Sequence, residues 1–327
     1  MHISDGVLSG IVSASCGVAA FAGCAICVRQ FRRTALPEQT PRMGLVAAFI
    51  FAAQMVNFPL GFAPISGHLM GGTLAAVLLG PWGGGLVMAS VLIVQAVLMG
   101  DGALTALGAN WLNMGLIGSV ASASVLSFIM RAGSGRIGVI TATMLAAWFS
   151  VILSAAAFSL ELAFSSGFGS FGEVLAWMVL VHCVIALGEA LITGMVLRGV
   201  VWSRPDFIHS HQEKIEPVKI RHRLGWLSGG LTITAAILVL LAPLASSDPD
   251  GLEFIGKKFG FLSESESTYR APLPDYSIPG LPDGRWSTVA AGLIGTTSVF
   301  VAGWWFSSSL ARQNQGSRPG LETNRQS

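Results

Sequence analysis

The chain has 327 residues, of which 52% are hydrophobic and only 11% are charged, and its formal net charge is +2. Soluble domains carry roughly 25% charged residues, so this composition excludes an ordinary soluble protein. The near-neutral charge gives no indication of a nucleic-acid partner. The composition predicts an all-α membrane protein, a polytopic bundle of transmembrane helices.

Apolar runs of membrane length predict about nine spans. The third and fourth are short and share a join rich in Gly, Pro and Trp at 80–85. The predicted spans are 7–28, 43–59, 68–80, 85–99, 110–130, 137–160, 174–198, 224–245 and 287–306.

The distribution of polar residues predicts two membrane domains. A polar linker, 203–223, separates a seven-span core, 1–202, from a two-span hairpin, 224–310. The hairpin has one long loop, 246–286, between its two spans. The tail, 311–327, is rich in Gln, Ser, Asn and Gly and is predicted to be disordered.

The basic residues predict the orientation of the spans. All but four of the 19 Lys and Arg lie in alternate loops, and those four lie in the 246–286 loop. Under the positive-inside rule the first group is cytoplasmic, so nine spans place the N-terminus outside and the C-terminus inside. Met1, His2, the segment before His68 and Asp101 are then extracytoplasmic, as is the long loop.

A histidine at position 2 indicates a metal chelate. The α-amine of Met1, the amide nitrogen of His2 and its imidazole can close small rings on one ion, and a fourth donor completes a square plane. Such nitrogen coordination suits Ni(II) or Cu(II) rather than Mg²⁺ or Ca²⁺. His68, flanked by glycines, is the candidate fourth donor. The alternatives are that His2 merely follows the start codon and that His68 is a hydrogen-bonded residue at a helix end.

Several other polar residues fall in or beside predicted spans, where they are costly and usually functional. Gln95, Asp101, Asn110 and Asn113 are candidates for orienting the ligands and holding an inserted N-terminal segment. Asn110 and Asn113 are three residues apart and so share a helical face. The alternative for this group is hydrogen bonding between helices.

Two further groups have open roles. His182 and Glu189 lie seven residues apart on one predicted helix face. They could neutralise a charge, relay an ion or form a structural pair. Glu189 is the one carboxylate well inside a predicted span.

In the long loop, Asp248, Asp250 and Glu253 are candidates for admitting metal, or are simply solvated. Residues 251–258 imitate a phosphate-binding loop, but Lys258 replaces its Ser or Thr, so any ATP-driven step belongs to another subunit.

Four segments resemble the CbiM/NikM family, the substrate-binding (S) components of cobalt and nickel energy-coupling factor transporters. The resemblance covers roughly residues 1–200, and Ser246–Glu253 resembles the PDGLE signature of the NikN-like accessory domain. The CbiM/NikM-like segments are 1–8, 67–72, 95–102 and 108–115. In the family, the metal is held by the N-terminal amine, the amide and imidazole of residue 2, and the histidine of the Gly-His-Leu segment. The resemblance therefore implies Met1, His2 and His68 as ligands. Asp5, a further pocket candidate, keeps the carboxylate of the usual Glu but is shorter.

The resemblance implies the metal-binding subunit of an ATP-driven importer in a bacterial or archaeal plasma (inner) membrane, not an enzyme. Its substrate is Ni²⁺ rather than Co²⁺, with no bound cofactor. Its partners are a transmembrane CbiQ/NikQ-like T component and CbiO/NikO-like ATPases, besides membrane lipid. Release of protons from the ligands implies weaker binding at acid pH. The alternatives are a stand-alone metal channel or secondary carrier, for which the sequence lacks a clear repeat, and a membrane metalloenzyme, which needs an open coordination position.

Overall fold

The structure is a computed structural model that describes residues 2–34, 40–131, 135–167, 169–208, 220–262, 269–281 and 284–316. The described chain is mostly helical. The α-helices are α1 (Gly10–Thr34), α2 (Thr40–Gln54), α3 (Gly72–Val94), α4 (Leu107–Asn110), α5 (Ser122–Met130), α6 (Arg136–Ser166), α7 (Phe171–Ser203), α8 (Ile220–Ala236), α9 (Gly251–Phe259) and α10 (Arg285–Gly316).

Shorter elements connect or extend these helices. Two strands, β1 (Phe58–Pro59) and β2 (Ser66–Gly67), pair antiparallel. The π-helical stretches Gln95–Met99, Trp111–Ala121 and Ile237–Leu241 continue α3, α4 and α8, and 3-10 turns cover Pro205–Phe207, Ala242–Leu244 and Pro274–Tyr276.

Seven stretches of the described chain are long and apolar enough to cross a membrane, as expected of a multi-pass membrane protein. They are Gly10–Arg33, Gly72–Met99, Leu107–Met130, Arg136–Ser166, Phe171–Ser203, Gly225–Leu244 and Arg285–Arg312. Helix α2 is shorter, with 15 residues. The exact number of crossings and the side on which the N-terminus lies stay predictions.

The predicted third and fourth spans form one helical stretch that reverses direction at Gly80. Gly80 has φ 79° and ψ 163°, outside the helical region. A Cβ on Gly84 would lie 2.8 Å from the amide nitrogen of Ala76, whereas residues eight apart in a straight helix are separated by about 12 Å. The two arms of α3 therefore pack antiparallel. The first arm begins at Gly72 rather than at 68, so His68 lies in the irregular segment before it.

Other predicted boundaries also shift. The second predicted span, 43–59, ends early, because the chain leaves α2 after Gln54 and enters the β1–β2 hairpin. The predicted tail is helical in its first part, since α10 continues to Gly316. Residues 317–327, and residues 209–219 of the linker, lie outside the described part of the chain.

The C-terminal hairpin packs directly on the core through α10 and α2. A Cβ on Gly44 would lie 2.8 Å from the carbonyl oxygen of Phe300, and one on Gly303 would lie 3.3 Å from the Cα of Gly44. Small residues allow such close approach of two helices in a membrane, where packing drives association.

A second contact between the core and the C-terminal hairpin lies at the start of the linker. Asp206 accepts hydrogen bonds from Arg204, at 2.8 and 2.6 Å, and from Arg42 on α2, at 3.3 Å. Both guanidinium groups lie 4.5 Å from the ring centroid of Phe207. That ring packs edge-on against Trp226 of α8. The linker is therefore fixed to both α2 and α8 where it leaves the core.

Candidate metal-binding site

The N-terminal segment is inserted among the helices and held by its backbone. The amide of Ile3 donates to Asn110 Oδ1 (2.8 Å), and Asn110 Nδ2 donates to the Ile3 carbonyl oxygen (3.3 Å). The amide of Ala103 donates to the same carbonyl (3.0 Å). Gly102 makes room for the segment, because a Cβ there would lie 2.9 Å from Asn110 Nδ2 and 3.3 Å from the His2 ring. These contacts place His2 in a buried position.

The structure brings the two candidate ligand imidazoles together. The ring centroids of His2 and His68 are 5.5 Å apart, and the ring planes differ by 16°. A metal–nitrogen bond of about 2 Å puts an ion about 3 Å from the centroid of a ligating imidazole, so both rings lie within reach of one ion. Met1, the third predicted ligand residue, lies outside the described residues.

A chain of hydrogen bonds orients the side-chain amide that faces the His2 ring. Gln54 Nε2 donates to the Met70 carbonyl oxygen (2.8 Å), and Gln95 Nε2 donates to Gln54 Oε1 (2.7 Å). The Met70 carbonyl can only accept, so it fixes which way the Gln54 amide points, and Gln54 in turn fixes the Gln95 amide. Gln95 Oε1 therefore faces His2 Nε2, at 3.2 Å. The other ring nitrogen, Nδ1, is the one that can close a six-membered chelate ring with the amide of the same residue.

Asp101 lies on the other side of the His2 ring. Its Oδ1 is 3.2 Å from His2 Nδ1, and its Oδ2 accepts a hydrogen bond from the Tyr276 hydroxyl at 2.5 Å. Burial lowers the pKa of His2, an effect that Asp101 partly opposes. Burial alone would raise the pKa of Asp101, but His2 and the Tyr276 hydroxyl outweigh it, so the net shift is downward. The carboxylate is therefore ionised beside the imidazole.

His68 follows β2 and has a defined tautomer. Its Nδ1 lies 3.0 Å from the Leu69 carbonyl oxygen, so Nδ1 is the protonated nitrogen and Nε2 presents a lone pair. Nε2 is 3.9 Å from Asp250 Oδ2. Burial, the largest cause, lowers the pKa of His68 to about 3. The imidazole is therefore neutral near pH 7, which is the form that binds metal.

Glu189 and His182 have separate partners rather than forming a pair. The Glu189 carboxylate accepts the amide protons of Met70 (2.5 Å) and Gly71 (3.0 Å), and His182 Nδ1 donates to the Met178 carbonyl oxygen (2.8 Å). The segment before α3 is not helical, and backbone amides within a membrane protein need such acceptors. The contacts of Glu189 are thus those of a group that stabilises the backbone beside His68.

His182 closes the pocket behind His68. Its Nε2 is buried without a hydrogen-bond partner in the described chain. A small cavity of about 20 Å³ lies beside it, lined also by His68, Asp250 and Gly251. That volume is enough for one water molecule. A Cβ on Gly251 would lie 3.1 Å from His182 Nε2, so the glycine allows this close approach.

Two predicted pocket residues lie away from the histidines. Asn113 Nδ2 donates to Glu161 Oε2 (2.9 Å), and the Cys16 thiol lies 3.9 Å from the other oxygen of that carboxylate. Asp5 accepts a hydrogen bond from Thr105 at the surface (2.5 Å). Glu161 lies within α6, so Glu189 is not the one carboxylate inside a helical stretch. Glu161 was not predicted as a buried carboxylate, because the predicted span ended at residue 160.

The three acidic candidates of the long loop differ in position. The carbonyl oxygens of Asp248 and Pro249 accept hydrogen bonds from Ser66, at 2.8 and 2.9 Å. Asp250 caps α9 by accepting the amide proton of Glu253 (2.8 Å), and Glu253 accepts that of Asp250 in return (3.2 Å). This reciprocal capping box starts α9 directly beside His68.

An acidic cavity of about 520 Å³ connects these groups. It is lined by both histidines and, among charged residues, by Asp101, Asp248, Asp250, Glu253, Asp275 and Arg285. The excess of carboxylates attracts cations. Within the described ranges, no three side chains of His, Cys, Asp or Glu form a metal site by themselves. A complete coordination shell therefore needs other donors, such as backbone nitrogen.

Gln54 and Tyr276 are pocket residues that sequence reasoning missed. Gln54 is the last residue of α2 and lies within the predicted span 43–59. The only feature that could have singled it out is its polar side chain in an otherwise apolar run. Tyr276 lies in a loop without periodicity, so nothing in the sequence linked it to His2.

Comparisons with known proteins agree with this architecture. The family described as cobalt uptake substrate-specific transmembrane region (CbiM) matches residues 2–207, and the PDGLE domain matches residues 224–312. A protein of Archaeoglobus fulgidus named as a fused nickel transport protein NikMN is 33% identical over 93% of this chain and 97% of its own length. The fused nickel transport protein NikMN of Rhodobacter capsulatus is 27% identical over 95% of this chain and 98% of its own.

Solved structures match the core. A crystal structure described as a transition metal transporter is 25% identical, with a TM-score of 0.56, and the match covers 66% of this chain and all of that one. The chain therefore belongs to the CbiM family of cobalt uptake substrate-specific transmembrane regions, joined in one polypeptide to a PDGLE domain.

Proposed function

We propose that this chain is the metal-binding membrane subunit of an ATP-driven importer of the energy-coupling factor type. Its cargo is Ni²⁺ rather than Co²⁺. The ion is captured by the α-amine of Met1, the amide and imidazole of His2, and the imidazole of His68. The observation that carries the proposal is the 5.5 Å separation of the two buried imidazoles beside the acidic cavity.

The contacts of both histidines support this ligand set. With His2 Nδ1 as the ligand, Gln95 Oε1 would accept the proton of Nε2, and the Leu69 carbonyl leaves the lone pair of His68 on Nε2. Ligating histidines usually donate their other ring nitrogen to such acceptors. The Met1 amine and the His2 amide would add two nitrogens, completing four. Four nitrogens suit square-planar Ni(II), which supports nickel over cobalt. The fused relatives of similar length carry nickel transport in their names.

The route and the energy source complete the proposal. Cations reach the histidines through the cavity lined by Asp248, Asp250 and Glu253. ATP hydrolysis belongs to partner subunits, because the sequence carries no convincing phosphate-binding loop. A CbiQ/NikQ-like T component and CbiO/NikO-like ATPases in a bacterial or archaeal plasma membrane would move the loaded subunit. Membership of a metal uptake family favours a transporter over a metalloenzyme.

Metal analysis of the purified protein tests the ligand set. We expect one Ni²⁺ per wild-type chain, and its loss in His2→Ala, in His68→Ala and in a chain with one residue added before Met1. His209→Ala, a histidine of the linker, is the matched control and should keep its metal. An extended chain that binds Ni²⁺ as tightly as wild type would show that the α-amine is not a ligand.

Uptake measurements test the transport mechanism. Cells or vesicles with this chain, a T component and ATPases should accumulate Ni²⁺, and a Walker-lysine variant of the ATPase should abolish uptake. Equal uptake by this chain alone would instead establish a stand-alone channel or carrier.

A further inference from the structure

We propose that the PDGLE domain is part of the metal site and that Tyr276 is its positioning residue, holding Asp101 against His2. The inference rests on the proposed function, because it assigns a role to Tyr276 in the binding of the same ion. In this arrangement, both the CbiM-like core and the PDGLE domain contribute residues to the metal site.

The contacts of the Tyr276 hydroxyl carry this inference. The hydroxyl donates to Asp101 Oδ2 (2.5 Å), while Asp101 Oδ1 lies 3.2 Å from His2 Nδ1. A carboxylate is planar, so fixing one oxygen also fixes the direction of the other. The same hydroxyl accepts a hydrogen bond from Gln95 Nε2 at 3.4 Å, and Gln95 Oε1 faces His2 Nε2. Tyr276 thus contacts the partner of each nitrogen of the His2 ring.

The segment that carries Tyr276 is attached to the core along residues 97–101. The Tyr269 hydroxyl donates to the Val97 carbonyl oxygen (2.9 Å), and the Leu273 amide donates to the Leu98 carbonyl oxygen (2.8 Å). The ring of Tyr276 packs near Phe51, with centroids 6.1 Å apart. The 269–276 segment is therefore docked beside the turn that contains Asp101.

The backbone at Tyr276 is held in an unusual conformation. Asp275 and Tyr276 have φ angles of 49° and 54°, in the left-handed region that residues with a side chain rarely adopt. Two consecutive residues persist there only where surrounding contacts fix them. The conformation directs the phenol into the buried pocket, where its pKa is raised well above the usual value by burial and by Asp101. The phenol therefore stays protonated and remains a donor.

Removing this donor should loosen Asp101 and weaken metal binding without removing a ligand. Tyr276→Phe deletes one hydroxyl, and Tyr269→Phe is the matched control, because its hydroxyl also attaches the 269–276 segment, through the Val97 carbonyl oxygen. Ni²⁺ affinity is measured by competition with a chelator, with the absorption spectrum of bound Ni²⁺ and thermal unfolding followed in parallel. We expect Tyr276→Phe to lower affinity about 10- to 100-fold and to change the spectrum. Tyr269→Phe should stay within about twofold.

A double-mutant cycle tests whether Tyr276 acts through Asp101. In an Asp101→Ala background, Tyr276→Phe should cause little further loss of affinity, because its acceptor is gone and its remaining contact, to Gln95 Nε2, is long at 3.4 Å. Equal losses in Tyr276→Phe and Tyr269→Phe, or an additive loss in the Asp101→Ala background, would overturn the inference. Wild-type affinity in Tyr276→Phe, together with lost binding in His2→Ala, would overturn it while leaving the proposed function intact. Absence of Ni²⁺ binding by the wild-type chain would overturn the proposed function itself.

Discussion

The core side of the pocket and its C-terminal side hold the histidines in different ways. On the core side, Asn110 pairs with the backbone of Ile3 and Gln95 contacts the His2 ring directly, and all of these residues are buried. On the C-terminal side, the contacts are indirect or longer: Tyr276 reaches His2 through Asp101, and Asp250 Oδ2 lies 3.9 Å from His68 Nε2. The core therefore determines where the N-terminal segment lies, while the PDGLE domain adjusts its surroundings.

The largest effect is expected where the core holds the N-terminal segment. Asn110→Ala leaves the buried amide and carbonyl of Ile3 without the side-chain partner, at a cost of about 1–3 kcal/mol for each unsatisfied group. We expect Ni²⁺ affinity to fall about 100-fold. Asn113→Ala is the control, since its side chain contacts Glu161 instead. Ni²⁺ affinity is measured by chelator competition. Similar losses of affinity in Asn110→Ala and Asn113→Ala would show that Asn110 has no special role in holding the N-terminal segment.

A smaller effect is expected where α9 docks on α7. In Gly251→Ala the new Cβ would lie 2.6 Å from Ile185 Cδ1 and 3.0 Å from His182 Cε1. Such overpacking costs about 1–3 kcal/mol, so the melting temperature in detergent should fall and Ni²⁺ affinity should drop about 30-fold. Gly229→Ala on α8 has nothing within 4 Å and should melt like wild type. An unchanged melting temperature in Gly251→Ala would show that α9 moves away without cost.

A tenfold effect is expected from cutting the amide chain behind His2. Gln54→Leu removes the acceptor of Gln95 Nε2, so the Gln95 amide is no longer held against the His2 ring, and Ni²⁺ affinity should fall about tenfold. Gln30→Leu is the control, because Gln30 contacts Arg33 at the exposed end of α1. If Gln54→Leu binds Ni²⁺ as wild type does, the orientation of Gln95 is set by other contacts.

The smallest effect is expected from cutting the linker. A protease site inserted within 209–219 should yield two fragments that purify together and keep full Ni²⁺ stoichiometry, because α2 and α10 pack closely. Gly44→Val in the same background should separate the fragments, since a Cβ there would lie 2.8 Å from the Phe300 carbonyl oxygen. Fragments that separate without that substitution would show that the linker holds the domains together.

The convergence of His2, His68, Gln95, Asp101 and Asn110 was predictable from sequence. The position of His2 directly after Met1 and the glycines around His68 can both be read from the sequence, and each suggests a metal ligand for a chemical reason. The helical spans were equally visible as apolar runs. The reversal at Gly80 was suggested by the short third and fourth runs, but its bounds required the three-dimensional packing of Gly84 on Ala76.

The separation of Asn113 from Asn110 was not predictable, for a geometric reason. Residues three apart share a face of an α-helix, but α4 gives way to a π-helical stretch at Trp111. A π-helix bonds residue i to i+5 and has a wider turn, so the α-helical spacing no longer applies. Asn113 consequently contacts Glu161 rather than the N-terminal segment. The role of Glu189 was hidden for a similar reason, since its partners are backbone amides of an irregular segment that apolar runs do not reveal.

The short length of α2 has a consequence for which ions can settle at the histidines. With 15 residues, α2 is about 22 Å long, whereas the hydrocarbon core of a bilayer is about 30 Å thick. Gln54, at its end, lines the cavity that holds both histidines. A helix of this length that begins at one membrane surface therefore ends, with this pocket, below the other surface. An ion bound directly by the two imidazoles gives up water for nitrogen, an exchange that Mg²⁺, which keeps its water and prefers oxygen, resists.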